Sequence, residues 1–352
     1  MNVHNPRGRG TAGTGARRRR GPAMGDVARL AGVSHQTVSR VINDSEHVSP
    51  QTRKRVLEAM QKLDYRPSSI ARALVTGRTN TIGVVSFDTT LHGPASTMFG
   101  IERAAHRAGY FTTTVSLQSL DRPSIDAAVT RLSGQGVEGI LVIAAEVQAV
   151  KALPDLPRDV PIVAVEAGPD KGISVVAIDQ RAGAVAATRH LLDLGHRTVS
   201  HIAGPPDWQE TRLRLAGWRK ALAAAGAEVT EPLTGDWSPR SGYELARDLL
   251  SSDTVTAIFV ANDQMALGAL RALHEAGRRV PRDISIVGFD DIPESAFFTP
   301  PLTTVRQDFL EMGERGFELL RRAVETSRTV QRRELIKPEL VVRASTAAPR
   351  DG

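Results

Sequence analysis

The sequence predicts an α/β protein in which a small helical head precedes a large domain of parallel sheets covered by helices. Three observations point there. Residues 24–63 read as three short amphipathic helices. From Thr79 onward, short apolar runs alternate with helical stretches, the pattern of βα units. Charge divides at the same place: residues 1–22 hold six Arg and no acid, residues 23–78 nine bases and five acids, and residues 79–352 30 bases and 34 acids. The formal net charge of +6 is therefore concentrated at one end, so a polyanion is expected to meet the N-terminal part only.

Composition removes several function classes. With 41% apolar residues the chain can pack a core, and its length suits two or three domains. The longest obvious apolar run, Gly139 to Ala145, falls short of the roughly 20 residues that span a bilayer. Without cysteine there is no disulfide, thiolate nucleophile or Cys-ligated metal, and a cytoplasmic location is expected.

Residues 1–22 form a Gly- and Arg-rich stretch with no hydrophobic periodicity, expected to be a disordered basic arm. Its four arginines, Arg17 to Arg20, precede no apolar segment that would make a signal peptide. Gly8, Gly10 and Gly13 spell G-x-G-x-x-G, but neither a preceding strand nor a following helix gives the spacing a phosphate to cradle.

The head, residues 23–66, reads as a helix-turn-helix. Asp26 to Ala31 is a short helix, Gly32 and Val33 make the turn, and Ser34 caps a second helix from His35 to about Ile42. Ala28 must be small where the helices cross, Gly32 permits the turn, and Val38 plugs the space between them. With Val38 and Val41 facing inward, His35, Gln36 and Arg40 face outward as candidate base contacts in the major groove. Arg can grip guanine O6 and N7, and Gln can grip adenine N6 and N7. Ser34, Thr37, Ser39 and Asn43 are short polar groups suited to phosphate contacts. A third helix runs from about Pro50 to Leu63, started by Ser49, with Val56, Leu57, Met60 and Leu63 expected to close the core. Residues 67–79 form a hinge and linker; Ser68 to Leu74 is long enough only for a marginal helix.

In the large domain, strands are expected at Thr81 to Phe87, Phe111 to Ser116, Gly139 to Ile143, Ile162 to Glu166, Thr198 to Ala203, Ala257 to Ala261 and Ser285 to Phe289. Helices such as Ser96 to Ala108 and Asp263 to Ala276 separate them. Ligands of open parallel sheets bind beyond the carboxyl ends of the strands. Glu166, Asn262 and Asp290 each end a strand, Arg214 leads a helix, and Trp237 sits in a Gly-Asp-Trp turn. Carboxylates, an amide and a guanidinium can pair with vicinal hydroxyls while an aromatic face covers a sugar ring. Taken singly, Asp290 could cap a helix, Trp237 could be core, and Arg214 could pair with a surface acid.

DVARLAGVSHQTVSRVIND (26–44) and VSPQTRKRVLEAMQKLDYRPSSIARAL (48–74) resemble the LacI/GalR family of bacterial repressors. The likeness continues through TRLRLAGW (211–218), GDW (235–237), VANDQMALGA (260–269), IVGFDD (286–291) and PPLTTVRQDF (300–309), which look like the lactose repressor branch. The resemblance implies a periplasmic-binding-protein-like sensor at 80–345, with lobe one at 80–178 and 307–334, lobe two at 179–306 and 335–345, and a tail at 346–352. It also implies paired hinge helices that enter the minor groove, with Leu74 as the wedge and Ala71 beside it. An effector pocket would be lined by Leu91, Pro94, Glu166, Arg214, Trp237, Asn262, Asp290 and Phe309. Three departures stand out within that resemblance: Ala23, Met24 and Gly25 replace the usual Thr and hydrophobic start of the first helix, Glu166 replaces a shorter Asp, and Phe87 and Ile143 replace Ser and Asn. The missing cap hydroxyl is expected to cost about 1 kcal/mol. Phe87 and Ile143 are expected to make the pocket tighter and less polar around lobe one.

The function so implied is a repressor released from a pseudo-palindromic operator on double-stranded DNA by a small-molecule sugar, with a galactoside as first expectation. A regulator of the same family answering to a purine or a protein corepressor is the alternative, and an exported sugar-binding protein a weaker one. No enzyme motif, metal cluster or cofactor site is read from the sequence. The chain ends at RASTAAPRDG with no apolar heptad after it, so the expected assembly is a homodimer, away from any membrane.

Overall fold

A computed structural model describes residues 22–42, 47–66, 73, 77–87, 90–119, 121–157, 159–166, 172–251, 254–326 and 331–350. The chain divides into two compact units, residues 1–79 and 80–352.

In the first unit, helices α1 (Met24–Ala31), α2 (His35–Ile42) and α3 (Pro50–Lys62) enclose a core of Val27, Ala28, Ala31, Val38, Val41, Val56 and Ala59. Gly32 ends α1 at φ +63°, a left-handed conformation that costs a residue without Cβ little. Lacking a cap hydroxyl, α1 is anchored from inside: the Asp26 carboxylate accepts from Ala23 N–H at 2.9 Å. Ser34 Oγ accepts from Thr37 N–H at 3.1 Å at the start of α2, and Ser49 Oγ from Thr52 N–H at 3.3 Å at the start of α3. Leu57 departs from its expected core role: it is 51% exposed. The buried stripe of α3 runs through Val56 and Ala59, with Met60 and Leu63 packed beside them, and Leu57 lies one residue off that period.

The second unit holds two six-stranded sheets, ordered β11-β5-β4-β3-β1-β2 and β12-β10-β9-β8-β6-β7. The first contains β1 (Thr81–Phe87), β2 (Phe111–Leu117), β3 (Gly139–Ile143), β4 (Ile162–Val165), β5 (Ser174–Ile178) and β11 (Arg333–Ile336). The second contains β6 (Ser200–Ala203), β7 (Leu233–Thr234), β8 (Ala257–Val260), β9 (Ser285–Asp290), β10 (Thr303–Arg306) and β12 (Glu339–Val341). Every pairing is parallel except β10 with β12. Strands β3, β4, β5, β8 and β9 are buried along their whole length, which is why they read as unbroken apolar runs.

Helices cover both faces. In lobe one, α4 (His92–Arg107) and α11 (Phe309–Thr326) pack Met98, Ile101, Met312 and Phe317 on one side; α5 (Arg122–Gly134) and α6 (Val147–Ala152) pack Ile125, Leu132 and Ala149 on the other. In lobe two, α9 (Pro239–Leu249) and α10 (Asp263–Glu275) face α7 (Gln180–Asp193) and α8 (Gln209–Ala224) across the sheet. Helix α4 starts four residues before its expected start because Gly93 and Pro94 fall in its first turn, where proline removes only an N–H that has no helical acceptor.

The chain crosses between the sheets three times: after β5, after β10 and between β11 and β12. The last crossing falls after Ile336 rather than after 334, because Leu335 and Ile336 are still paired with Ala177 and Ile178.

Candidate functional sites

On the head, the inward turn of Val38 and Val41 leaves His35, Gln36 and Arg40 exposed on the outer face of α2. Ser34 is exposed and shares a 2.9 Å hydroxyl–hydroxyl hydrogen bond with Thr37, so the two also serve as the helix cap; Thr37 and Ser39 are half-buried. Asn43, Ala71 and Leu74 lie outside the described residues.

The large domain has a narrow cleft of about 50 Å³ between its lobes. Leu91, Pro94, Glu166 and Phe309 line it from lobe one, and Arg214, Trp237, Asn262 and Asp290 from lobe two; the structure thus brings all eight expected residues together. They come from the carboxyl ends of β1, β4, β6, β7, β8, β9 and β10 and from the helices that follow, as the crevice rule for open parallel sheets requires. His92, Gly93, Trp208, Glu210 and Gln264 line it too and were not singled out. Two of them had a visible signal: Glu210 lies one turn before Arg214 on α8, and Gln264 two residues after Asn262. Phe87 and Ile143 do not line the cleft; they pack into the lobe-one cores.

Arg214 is buried one turn into α8, rather than at its start. Its Nε donates to Gln180 Oε1 at 2.9 Å, Nη1 donates to the Ala261 carbonyl, and Nη2 stands 3.7 Å from Asp290 Oδ1. Gln180 Nε2 donates to Gln307 Oε1 at 2.6 Å, and Gln307 Nε2 donates to Asp290 Oδ1 at 2.6 Å. The four side chains close a buried ring. Because Gln180 follows the first crossing and Gln307 the second, this ring ties the cleft to two of the strands of chain that join the lobes. The guanidinium also lies 4.1 Å from the Phe289 ring centroid and 5.6 Å from that of Trp237.

Asn262 is fully engaged: Oδ1 accepts from Met265 N–H at 2.9 Å as the cap of α10, and Nδ2 donates to the Trp237 carbonyl at 3.1 Å. It positions the Trp237 turn. The Trp237 indole meets Trp208 edge to face at 5.6 Å between centroids, and its Nε1–H has no hydrogen-bond partner despite burial. Glu166 accepts from Thr97 Oγ1 at 3.1 Å. Burial pushes its carboxyl up to about 7, against the pull of Thr97 and Arg214. Burial raises Glu210 well above the carboxylate range, with Glu166 adding repulsion, and raises Asp290 despite Arg214.

Backbone bonds also stitch the lobes together across the cleft. Val147 N–H donates to Asp207 O and Gln209 N–H to Ala145 O, each at 2.9 Å, flanking an antiparallel bridge between Glu146 and Trp208. Among the described residues no group of acids and histidines has metal-site geometry, and no helix is long and apolar enough to cross a membrane. His190 and His196 instead hydrogen-bond Thr346 and the Ala347 carbonyl, holding the end of the chain to lobe two.

These two units correspond to two known families. Residues 23–68 match the family described as bacterial regulatory proteins, lacI family, and residues 188–346 match the periplasmic binding protein-like domain. The lactose operon repressor of Escherichia coli (strain K12) is 36% identical over 329 residues, covering 92% of this chain and 90% of that protein. The HTH-type transcriptional repressor PurR of Pasteurella multocida (strain Pm70) is 36% identical over 326 residues, covering 91% and 97%. The crystal structure of the lac repressor dimer bound to operator and the anti-inducer ONPF superposes with a TM-score of 0.86 at 35% identity, covering 94% of this chain and 100% of that one. An exposed polar face on a capped second helix, followed by a two-lobed domain with a cleft at its crossings, is what that kinship predicts: the chain belongs to the lacI family of bacterial regulatory proteins and is a DNA-binding transcriptional repressor.

Proposed function

We propose that the chain represses transcription as a homodimer on a pseudo-palindromic operator and releases it when a sugar enters the cleft. The observation that carries this reading is the buried ring of Arg214, Gln180, Gln307 and Asp290, which joins a small-molecule site to the crossings between the lobes. His35, Gln36 and Arg40 read bases, and Ser34, Thr37, Ser39 and Asn43 fix register on phosphates. Ala71 and Leu74 enter the minor groove at the operator centre.

Leu91, Pro94 and Phe309 form the apolar wall of the cleft, and Trp237 covers the face of the sugar ring while its free Nε1–H donates to a ring substituent. Release requires the sugar to bind the DNA-incompetent arrangement more tightly, since equal affinity would shift nothing. A galactoside is the first ligand to try, given the similarity to the lactose operon repressor.

A purine effector is the second reading, favoured by equal identity to the PurR relative and by the paired indoles of Trp208 and Trp237, which offer a stacking corner. Fluorescence anisotropy of a labelled operator, with and without galactosides, other sugars and purines, decides between them. A sugar that weakens operator binding supports the first reading. A purine that strengthens it supports the second, and no response to any of them removes both.

A further inference from the structure

The cleft holds more acid than its bases balance. Glu166, Glu210 and Asp290 line it, all buried, against one buried guanidinium, Arg214, and the half-buried His92. The hydrogen bonds of Arg214 go to Gln180 and the Ala261 carbonyl, and its ion pair is with Asp290. Glu210 is 7% exposed, and its Oε2 has no hydrogen-bond partner. Asp263, another buried acid nearby, is by contrast satisfied on both oxygens, by Thr304 Oγ1 at 2.6 Å and Ile292 N–H at 3.0 Å.

A buried carboxylate oxygen without a donor is costly, and so is a surplus of like charge in a cleft of low polarizability. Arg181 and Arg333, at an adjoining cavity that Glu166 and Glu210 also line, are exposed and make no ion pair with either. A neutral sugar hydroxyl would satisfy Glu210 Oε2 but leave the two acids held in their protonated form by burial. A protonated amine would satisfy that oxygen and stabilise the ionised carboxylates as well.

We infer that the effector is a sugar bearing a protonated amine, recognised by Glu210 with Glu166 beside it, while the indole N–H of Trp237 takes an acceptor on the same molecule. This rests on the sugar-effector reading and narrows it. Burial holds both carboxyls above their usual range, with Glu166 adding repulsion at Glu210, and a bound cation would favour the ionised form of each.

The test uses the full chain and matched ligands: galactose, galactosamine and N-acetylgalactosamine, and the same three forms of glucose. Binding is followed by tryptophan fluorescence and titration calorimetry. For at least one sugar the amine should bind about tenfold more tightly than its neutral parent, with no such gain for the acetylated form. Glu210→Gln should narrow that gap to about twofold. Circular dichroism checks that the variant is folded; if it is not, the comparison of amine with parent in the unmodified chain decides alone.

If neither amine binds more tightly than its parent while a parent sugar binds, the inference is overturned and the sugar reading stands. An amine preference that survives in a folded Glu210→Gln variant overturns the assignment to Glu210. If no sugar in the panel binds, the inference and the sugar reading fall together.

Discussion

Gly204 offers the sharpest test of whether the Trp237 indole is a working wall of the cleft. It follows β6 and lies flat against the ring: a Cβ added there would stand 2.5 Å from Trp237 Cζ3 and nearer still to Cη2 and Cζ2. Ordinary contact begins near 3.5 Å, so in Gly204→Ala the ring must retreat by about 1 Å. The backbone at Gly204 has ordinary φ, so the substitution adds no conformational strain and the contact is its whole effect. Overpacking a rigid aromatic costs about 1–3 kcal/mol, read as a lower urea midpoint at constant m-value. Operator affinity without effector should be unchanged, because the head is a separate unit, while the response to effector should fall at least tenfold. The decisive measurement is a double-mutant cycle. In a Trp237→Ala background the obstacle is gone, so Gly204→Ala should cost nothing, giving a coupling of about 1–3 kcal/mol. Additive costs, or an undiminished effector response in Gly204→Ala, would refute the reasoning.

Three other outcomes are expected. His201 is buried between Phe259, stacked at 4.6 Å, and Trp218, and hydrogen-bonds the Phe259 carbonyl through Nδ1, so burial holds it neutral with a pKa near 4, down from 6.5. A lowered folded pKa means its contribution is complete above pH 6.5 and lost as pH falls toward 4; at pH 5 this is about 2 kcal/mol. His201→Leu should shrink the difference in unfolding free energy between pH 7.5 and pH 5 by about that amount, and an unchanged difference would exclude it. Gln307→Leu opens the buried ring, leaving Gln180 Nε2 without its acceptor and Asp290 Oδ1 with Arg214 alone, at about 1–3 kcal/mol, and effector titrations should show weaker coupling to operator release. Arg40→Ala should relax operator specificity at one base pair by about 1–3 kcal/mol in competition anisotropy; a uniform loss across sequences would mean that Arg40 touches phosphate only.

Much of this arrangement was legible because the chain repeats strong local signals. The buried strands β1 and β3 were found to the residue, since fully buried parallel strands are unbroken apolar runs. Strands β5, β7, β10, β11 and β12, of two to five residues, were not found; runs so short carry little periodicity, and only some of them, such as β4 and β8, stand out by being wholly apolar. In the cleft, polar residues at strand ends were visible as a set, whereas Trp208 and His92 sit in loops and helix starts where nothing in the sequence marks the direction of a side chain. Glu210 was missed for another reason. A Glu in the first turn of a helix reads as a favourable charge on an exposed N-terminus, and only its place in the cleft between the lobes makes it a buried acid.

Backbone conformation explains why the cleft is shaped by these side chains and not by the strands beneath them. Glu166, Trp237 and Asp290 have φ of +64°, +72° and +112°, a region that residues with a Cβ occupy at a cost of about 1–3 kcal/mol each. Glycine would make the same turns without that strain. Each strained position instead carries a side chain aimed into the cleft, and each is held by contacts that do not depend on a ligand: Thr97 on Glu166, Asn262 on the Trp237 carbonyl, Gln307 on Asp290. The turns are thus fixed before anything binds. The groups left over, the Glu210 oxygen and the Trp237 indole N–H, are the ones a ligand must complete. A site built this way spends little ordering itself on binding, and the free energy of a matching ligand remains available to shift the two lobes.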